Sequence, residues 1–274
     1  MPLTGLVCRS CGGARVPFTH FETTTCGLTT LDPRYARASV DHELGRYSYG
    51  SKSVSVTQII NCPRQGAIQS TEDWWLDPLA MNAAYTGVAW GNFLDSGKII
   101  GDWRQVCVKG IIQDVTITGQ IDLWRPSQQL IVDDKNQNDF SRADIEKNGA
   151  KPEHVAQISL YAELMRQSLG KIRDDWDGFV PDVEPKQGRI DYHWSTKDGM
   201  KMIPVEFWTL ERILEFKPHD GAFTVRENLV NSQKPWREQP LTGESIIFSK
   251  SGKTLCDGCQ VREICHAQAH GATF

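Results

Sequence analysis

The chain has 274 residues, 39% hydrophobic and 23% charged, with a formal net charge of −4. That balance suits a globular protein with a sizeable core, and excludes both a disordered chain and a basic protein that coats DNA by overall charge. No apolar run reaches bilayer length and the opening MPLTGLVCRSCGG lacks the basic-then-apolar order of a secretion signal, so the sequence predicts no membrane association and a cytoplasmic setting.

Residues 1–30 read as a small cysteine-bearing module, rich in Thr and Gly and poor in large aliphatics. Such a segment needs a metal or a docking partner to be ordered. Cys8, Cys11, His20 and Cys26 offer a Cys₃His set for one zinc ion. A disordered tail with incidental cysteines is the other reading. Residues 31–56 are polar and read as a linker or irregular surface.

From residue 57 to 274 the pattern is globular. A short helix is predicted around Cys62, and a buried helix through Met81, Ala84, Tyr85 and Val88. Trp74 and Trp75 cap the core or stack on bases. The stretches RQVCVKGIIQDVTITGQIDLW and QQLIVDDKN are β-rich, with Cys107 a buried apolar residue in a strand. A helix opens at Pro152 and Glu153 and closes at Gly170, carrying Ile158, Tyr161, Ala162, Met165 and Leu169 on one face. A hairpin turning at Lys197, Asp198 and Gly199 follows, then a helical stretch from Leu210 that Pro218 interrupts. Helix, meander, helix and strand pair indicate a mixed α/β core. Lys197, Lys201, Lys250, Lys253 and Arg262 line a nucleic-acid groove or form a solvated face.

The segment GQIDLWRPSQQLIVDDKNQ places Pro126 and Ser127 at a turn between two apolar strands. Antiparallel register about that turn sets Asp122 opposite Asp133. Alternation points Asp133 and Lys135 one way and Asp134 the other. Two facing carboxylates need a cation between them, or one stays protonated. Mg²⁺ or Mn²⁺ is the economical cation for oxygen ligands. An ordinary Asp–Lys pair at a solvated hairpin tip is the plain alternative.

Gly119-Gln-Ile-Asp122 followed by LIVDDK ending at Lys135 resembles the signature of the PD-(D/E)XK nuclease superfamily. Q-x-x-x-Y at Gln157 and Tyr161, NCPRQ at Cys62 and C-x2-C-x5-C at Cys256, Cys259 and Cys265 follow the order of its RecB-like iron–sulfur branch. That branch includes the AddB-type nuclease domain and the CRISPR-associated adaptation exonuclease. The resemblance spans residues 55–270. It implies an α/β, restriction-endonuclease-like core, a mixed sheet flanked by helices, and Mg/Mn-dependent hydrolysis of DNA, with single-stranded ends as substrate. It assigns Asp122, Asp133 and the Asp134 carbonyl to the metal, and Lys135 to catalysis. Gln157 and Tyr161 fall near the DNA path, and Cys62, Cys256, Cys259 and Cys265 hold a 4Fe–4S cluster. A protein partner in a recombination or repair complex is part of the same expectation. Four thiolates also suit a zinc ion, and buried free thiols are a further alternative.

One position departs from the family. A metal-binding histidine is common on the first core helix, four residues after a glycine. After Gly87 this chain reads VAWG, so Gly91 stands there, beside Trp90. The implied site is thinner, with one ion rather than two, or Glu72, Asp73 or Asp95 substitutes. The alternative function is a subunit that keeps the fold and binds DNA or a complex without cleaving.

Overall fold

The computed structural model describes residues 3–23, 33–46, 53–78, 82–97, 99–137, 141–171, 179–194, 199–218, 223–239 and 265. The chain opens with β1 (Leu3–Cys8), β2 (Ala14–Val16) and the short helix α1 (His20–Thr23), followed by α2 (Pro33–Arg46). Strand β3 (Val54–Ser55) leads into α3 (Val56–Ile60), α4 (Pro63–Thr71), β4 (Trp74–Leu76) and α5 (Asn82–Ser96). A meander of β5 (Trp103–Ile112), β6 (Val115–Arg125) and β7 (Leu130–Gln137) comes next. Helices α6 (Arg142–Asn148) and α7 (Pro152–Ser168) then cross over to β8 (Gln187–Trp194) and β9 (Met200–Val205). Helices α8 (Leu210–Leu214) and α9 (Val225–Ser232) follow.

The six-stranded sheet runs β3-β6-β7-β8-β9, with β5 also paired to β6. Strands β5 to β7 pair antiparallel, which tight turns allow. Strand β8 lies parallel to β7, and parallel neighbours need a crossover, which α6 and α7 supply. The sheet is therefore mixed and flanked by helices, an α/β architecture compatible with a restriction-endonuclease-like core.

Helix α7 is buried along its length, with Val155, Ile158, Ala162 and Met165 packed among Ile117, Ile121, Ile131 and Ile190 of the sheet. Pro152 stands in its first turn, where a missing N–H costs nothing, and Gly170 just beyond its end has φ +71°. Two helices start with reciprocal side-chain caps: Ser55 with Gln58 before α3, and Thr224 with Glu227 before α9.

A second sheet has order β2-β1-β4. Strand β1 pairs antiparallel with β2 and parallel with β4, Leu6 lying opposite both Val16 and Leu76. Its own small core gathers Leu3, Leu6, Phe21, Ala36, Val40, Ile68, Trp74 and Leu76.

Several sequence expectations differ from this arrangement. The segment read as linker carries α2, whose Ala36, Ser39 and Val40 are buried. Their i, i+3, i+4 spacing is a narrow apolar stripe that the polar average conceals. The N-terminal residues draw their partners from the chain itself: β4 supplies the third strand and α4 supplies Ile68. Cys62 sits between two helices, as the N-cap residue of α4. Helix α5 forms; Tyr85 on the face expected to be buried is half-buried, the side chains of Met81, Ala84 and Val88 lie outside the described residues, and Trp90 and Phe93 are 38% and 64% exposed. Cys107 is exposed between buried Val106 and Val108, because alternate strand residues face opposite sides. Trp74 is buried, and Trp75 lies under the Arg15 guanidinium, 4.2 Å from the ring centre. The turn residues Lys197 and Asp198, and Lys250, Lys253 and Arg262, lie outside the described residues.

Candidate active site

The β6–β7 turn is a single 3-10 turn over Pro126–Gln128, closed by Gln129 at φ 51°. It fixes the register Leu123↔Val132, Trp124↔Ile131 and Arg125↔Leu130. Continued by one step, that ladder sets Asp122 across from Asp133. The Asp134 backbone N–H donates to Asp122 Oδ2 at 2.8 Å, tying the two strands at this point.

Asp133 is 2% exposed, and its Oδ2 lies 2.7 Å from Lys135 Nζ. Residues two apart on a strand share a face, so this pairing follows from local geometry. Burial pushes the Asp122 carboxyl up to about 7, helped by the negative charge of Asp133 and opposed by Lys135. Burial raises Asp133 as well, with Lys135 pulling the other way. Burial works against the Lys135 ammonium, but Asp133 and Asp122 outweigh it and hold it above the ordinary lysine range. Two carboxylates and one ammonium thus converge in a poorly solvated spot. The donor set fits a hard divalent ion, which would let both acids ionise together.

Helix α7 closes over this spot. Gln157 Nε2 donates to the Tyr161 hydroxyl at 2.7 Å, and the Thr57 side chain of α3 also bonds that hydroxyl. Burial, then the Asp133 charge, pushes the Tyr161 phenol above its usual range. Gly119 makes the approach possible, as the Tyr161 ring fills the space where a side chain would start.

The structure adds residues that the sequence reading did not single out. The Tyr192 hydroxyl accepts from the Lys151 backbone N–H at 2.9 Å and lies 2.9 Å from His154 Nδ1. The Tyr192 hydroxyl thus ties the start of α7 to the His154 ring. Burial, then the Lys135 and Lys151 charges, drives His154 down to about 2, so its ring is neutral. Lys151 Nζ donates to Gln137 Oε1 at 2.7 Å. His154 stands three residues before Gln157 on the same helix face, a signal readable from spacing. Tyr192 arrives through the parallel pairing Lys135↔Tyr192, which no local pattern announces.

Asp134 points elsewhere. Its Oδ1 lies 3.1 Å from His193 Nε2, and the His193 ring lies 4.9 Å from that of Trp90. Trp90 therefore packs against a histidine contributed by β8. That imidazole nitrogen is engaged with Asp134 rather than with Asp122 or Asp133. Of the acids considered as substitutes, Glu72 is bound to Arg237 at 3.1 Å and Asp73 is exposed. The Asp95 side chain lies outside the described residues.

Among the described cysteines, Cys8 and Cys11 lie beside His20, Cys62 precedes α4, Cys265 lies against Arg64 and Cys107 stands on β5. Cys8, Cys11 and His20 bring their donor atoms within 4.8 Å of one another, so this group can bind a metal, while Cys26 lies outside the described residues. Cys62 occupies the N-cap position of α4 without a side-chain cap, and two residues later Arg64 donates from Nε to Cys265 Sγ at 3.1 Å. Arg64 also donates to the Gln239 carbonyl. Cys256 and Cys259 lie outside the described residues. Lys201 donates to the Glu146 carbonyl at 3.2 Å.

Among the described residues, no helix is long and apolar enough to cross a membrane. A solved protein designated SSO0001 matches over 65% of this chain and 79% of its own length, with 14% identity and a TM-score of 0.46. A phage-related exonuclease from Haemophilus somnus 129PT matches over 85% of this chain and 93% of its own, with 13% identity and a TM-score of 0.26. No protein-family model and no curated protein matches the chain.

Proposed function

We propose that this chain is a metal-dependent deoxyribonuclease that hydrolyses phosphodiester bonds from single-stranded ends. The observation that carries the reading is the meeting of Asp122, Asp133 and Lys135 at one buried point between β6, β7 and α7. Asp122, Asp133 and the Asp134 carbonyl would hold Mg²⁺ or Mn²⁺. A bound ion of this kind lowers the pKa of its water and polarises a phosphate oxygen.

The chain's own groups do the rest. Lys135 is a fixed cation beside the acids. It orients a water for in-line attack on phosphorus and steadies the negative charge that gathers on the phosphate oxygens. The new water-oxygen-to-phosphorus bond forms as the bond to the leaving deoxyribose oxygen breaks, the attacking water losing its proton to solvent and the leaving oxygen taking one from solvent. Gln157 and Tyr161, locked to each other and to Thr57, hold α7 against the acids and shape the path of the strand. His154, neutral and fixed by Tyr192, keeps the space beside Lys135 free of a competing positive charge.

Cys62, Cys256, Cys259 and Cys265 would hold a 4Fe–4S cluster. The contact from Arg64 to Cys265 Sγ supports this, because a buried guanidinium favours a thiolate and joins the start of α4 to residue 265. The cluster's role would be structural, within a repair, recombination or CRISPR-adaptation complex. The test is digestion of end-labelled single-stranded DNA with and without Mn²⁺, for the native chain and for Asp133→Asn. Turnover that ignores either change rejects the reading.

A second reading, a DNA-binding subunit without turnover, is favoured by one observation. Trp90, beside the position where the family carries a helix histidine, packs on His193, and that ring is engaged with Asp134. DNA binding with no Mn²⁺-dependent cleavage would select it.

A further inference from the structure

We propose that Cys8, Cys11 and His20 form a structural Zn²⁺ site that fastens the β1–β2 turn to α1. The site is separate from the nuclease reading and stands or falls without it.

The geometry starts with the turn. Cys8 ends β1, and Cys11 lies in the single 3-10 turn that follows. The Gly12 N–H donates to the Arg9 carbonyl at 3.1 Å and the Gly13 N–H to the Cys8 carbonyl at 3.0 Å. Gly12 and Gly13 have φ of +70° and +83°, a conformation that residues with a β-carbon seldom adopt. The 3-10 turn over Arg9–Cys11 brings Cys11 back beside Cys8, and this pair of left-handed glycines then turns the chain into β2. His20 is then delivered by a second turn, its N–H donating to the Pro17 carbonyl at 3.0 Å.

Three soft or borderline donors from three consecutive pieces of chain therefore converge. Cys11 Sγ lies 3.7 Å from His20 Nε2. A tetrahedral zinc with its usual bond lengths to sulfur and nitrogen separates those two atoms by about 3.6 Å, so this edge of the site already has the required length. All three donor atoms lie within 4.8 Å of one another. Two thiolates and one imidazole leave one tetrahedral position for a further ligand, and this donor set selects zinc over magnesium or calcium.

The surroundings indicate a structural role. Cys8 is fully buried in the small core with Leu3, Leu6, Val16 and Phe21, while Cys11 is exposed. The ion would sit at the edge of that core, between its apolar floor and the solvent. A metal clip at this turn would add to the burial that already holds the sheet.

The test uses the full-length chain purified from zinc-supplemented cells, with metal content read by mass spectrometry. About one zinc per chain is expected, falling below about a tenth of that in Cys11→Ser and in His20→Ala, as loss of one ligand opens a structural site. Iron content is expected to be the same in all three, which separates this site from the cysteines around Arg64. A second measurement needs no variant. In the native chain, exposed Cys11 is expected to resist alkylation by iodoacetamide until a chelator strips the zinc. Absence of zinc from the native protein, retention of zinc by either variant, or alkylation of Cys11 at one rate with and without chelator overturns the proposal.

Discussion

A β-carbon on Gly119 would lie 2.5 Å from Cε1 of Tyr161, so the β6 backbone and the tyrosine ring are in direct contact across the candidate site. Gly119→Ala is expected to cost about 1–3 kcal/mol, the range for overpacking a filled interior. Thermal denaturation should show a fall of roughly 2–10 °C. In a Tyr161→Leu background the same alanine should cost much less, because the ring that obstructs it is gone. Equal costs in the two backgrounds would show that the ring is not what excludes the side chain.

Asp133→Asn and Lys135→Met are each expected to lower the rate of DNA cleavage by about 100-fold or more, the scale for losing one preorganised electrostatic group. Single-turnover assays at saturating Mn²⁺ read this directly. Arg189→Lys serves as a control. Arg189 makes a two-pronged contact at 2.7 Å with Asp191, two residues along the same strand β8, and has no role in the proposed chemistry.

Adding Mn²⁺ should stabilise the native chain against heat, by about 2.7 kcal/mol at one hundred times the dissociation constant. The shift should vanish in Asp122→Asn, which removes one of the two facing charges. A melting temperature that responds to Mn²⁺ equally in both proteins would place the ion elsewhere.

His154 gives a pH dependence with a definite sign. Its pKa falls from 6.5 to about 2 on folding, so below pH 6.5 the unfolded chain takes up a proton that the folded chain refuses. Native stability is therefore lost as pH drops from that value towards the folded pKa, by about 1.4 kcal/mol per unit from this group. His154→Gln should flatten this acid limb, so that its stability relative to the native chain rises steadily between neutral pH and pH 5. Denaturant unfolding at several pH values measures it. Parallel curves for the two proteins would contradict a buried neutral imidazole.

Arg64 is 3% exposed and bonds both Cys265 and the Gln239 carbonyl. Arg64→Met leaves those acceptors buried without their donor, at a cost of about 1–3 kcal/mol. Limited proteolysis should then cut after residue 239 faster than in the native chain. An unchanged cleavage rate would show that this contact does not secure that part of the chain.

The hairpin of β6 and β7 was legible because its information is local. Turn chemistry at Pro126 and Ser127 sets the register, and alternation then places Asp133 beside Lys135. Helix α7 was legible for the same reason, with its first turn marked by Pro152 and its end by Gly170. The small sheet was not legible, because β1 finds β4 some seventy residues later and three-residue strands carry almost no pattern. Tyr192 and His193 were hidden in the same way, behind a parallel pairing that only the crossover reveals. Helix α2 was missed because three buried positions on a polar background fall below what composition can show. Trp90 is visible in the sequence beside the missing histidine, but its partner His193 is not, because it comes from β8.

The central place of β1 in the three-stranded sheet bears on how the protein can be shortened or tagged. Trimming the first eight residues looks, on paper, like removing a tail. It would in fact withdraw the strand that pairs with both β2 and β4, and empty Leu3, Leu6 and Cys8 from the packing beneath them. Fusion tags are better tolerated where no ladder must form, and the amino end of this molecule behaves as a keystone.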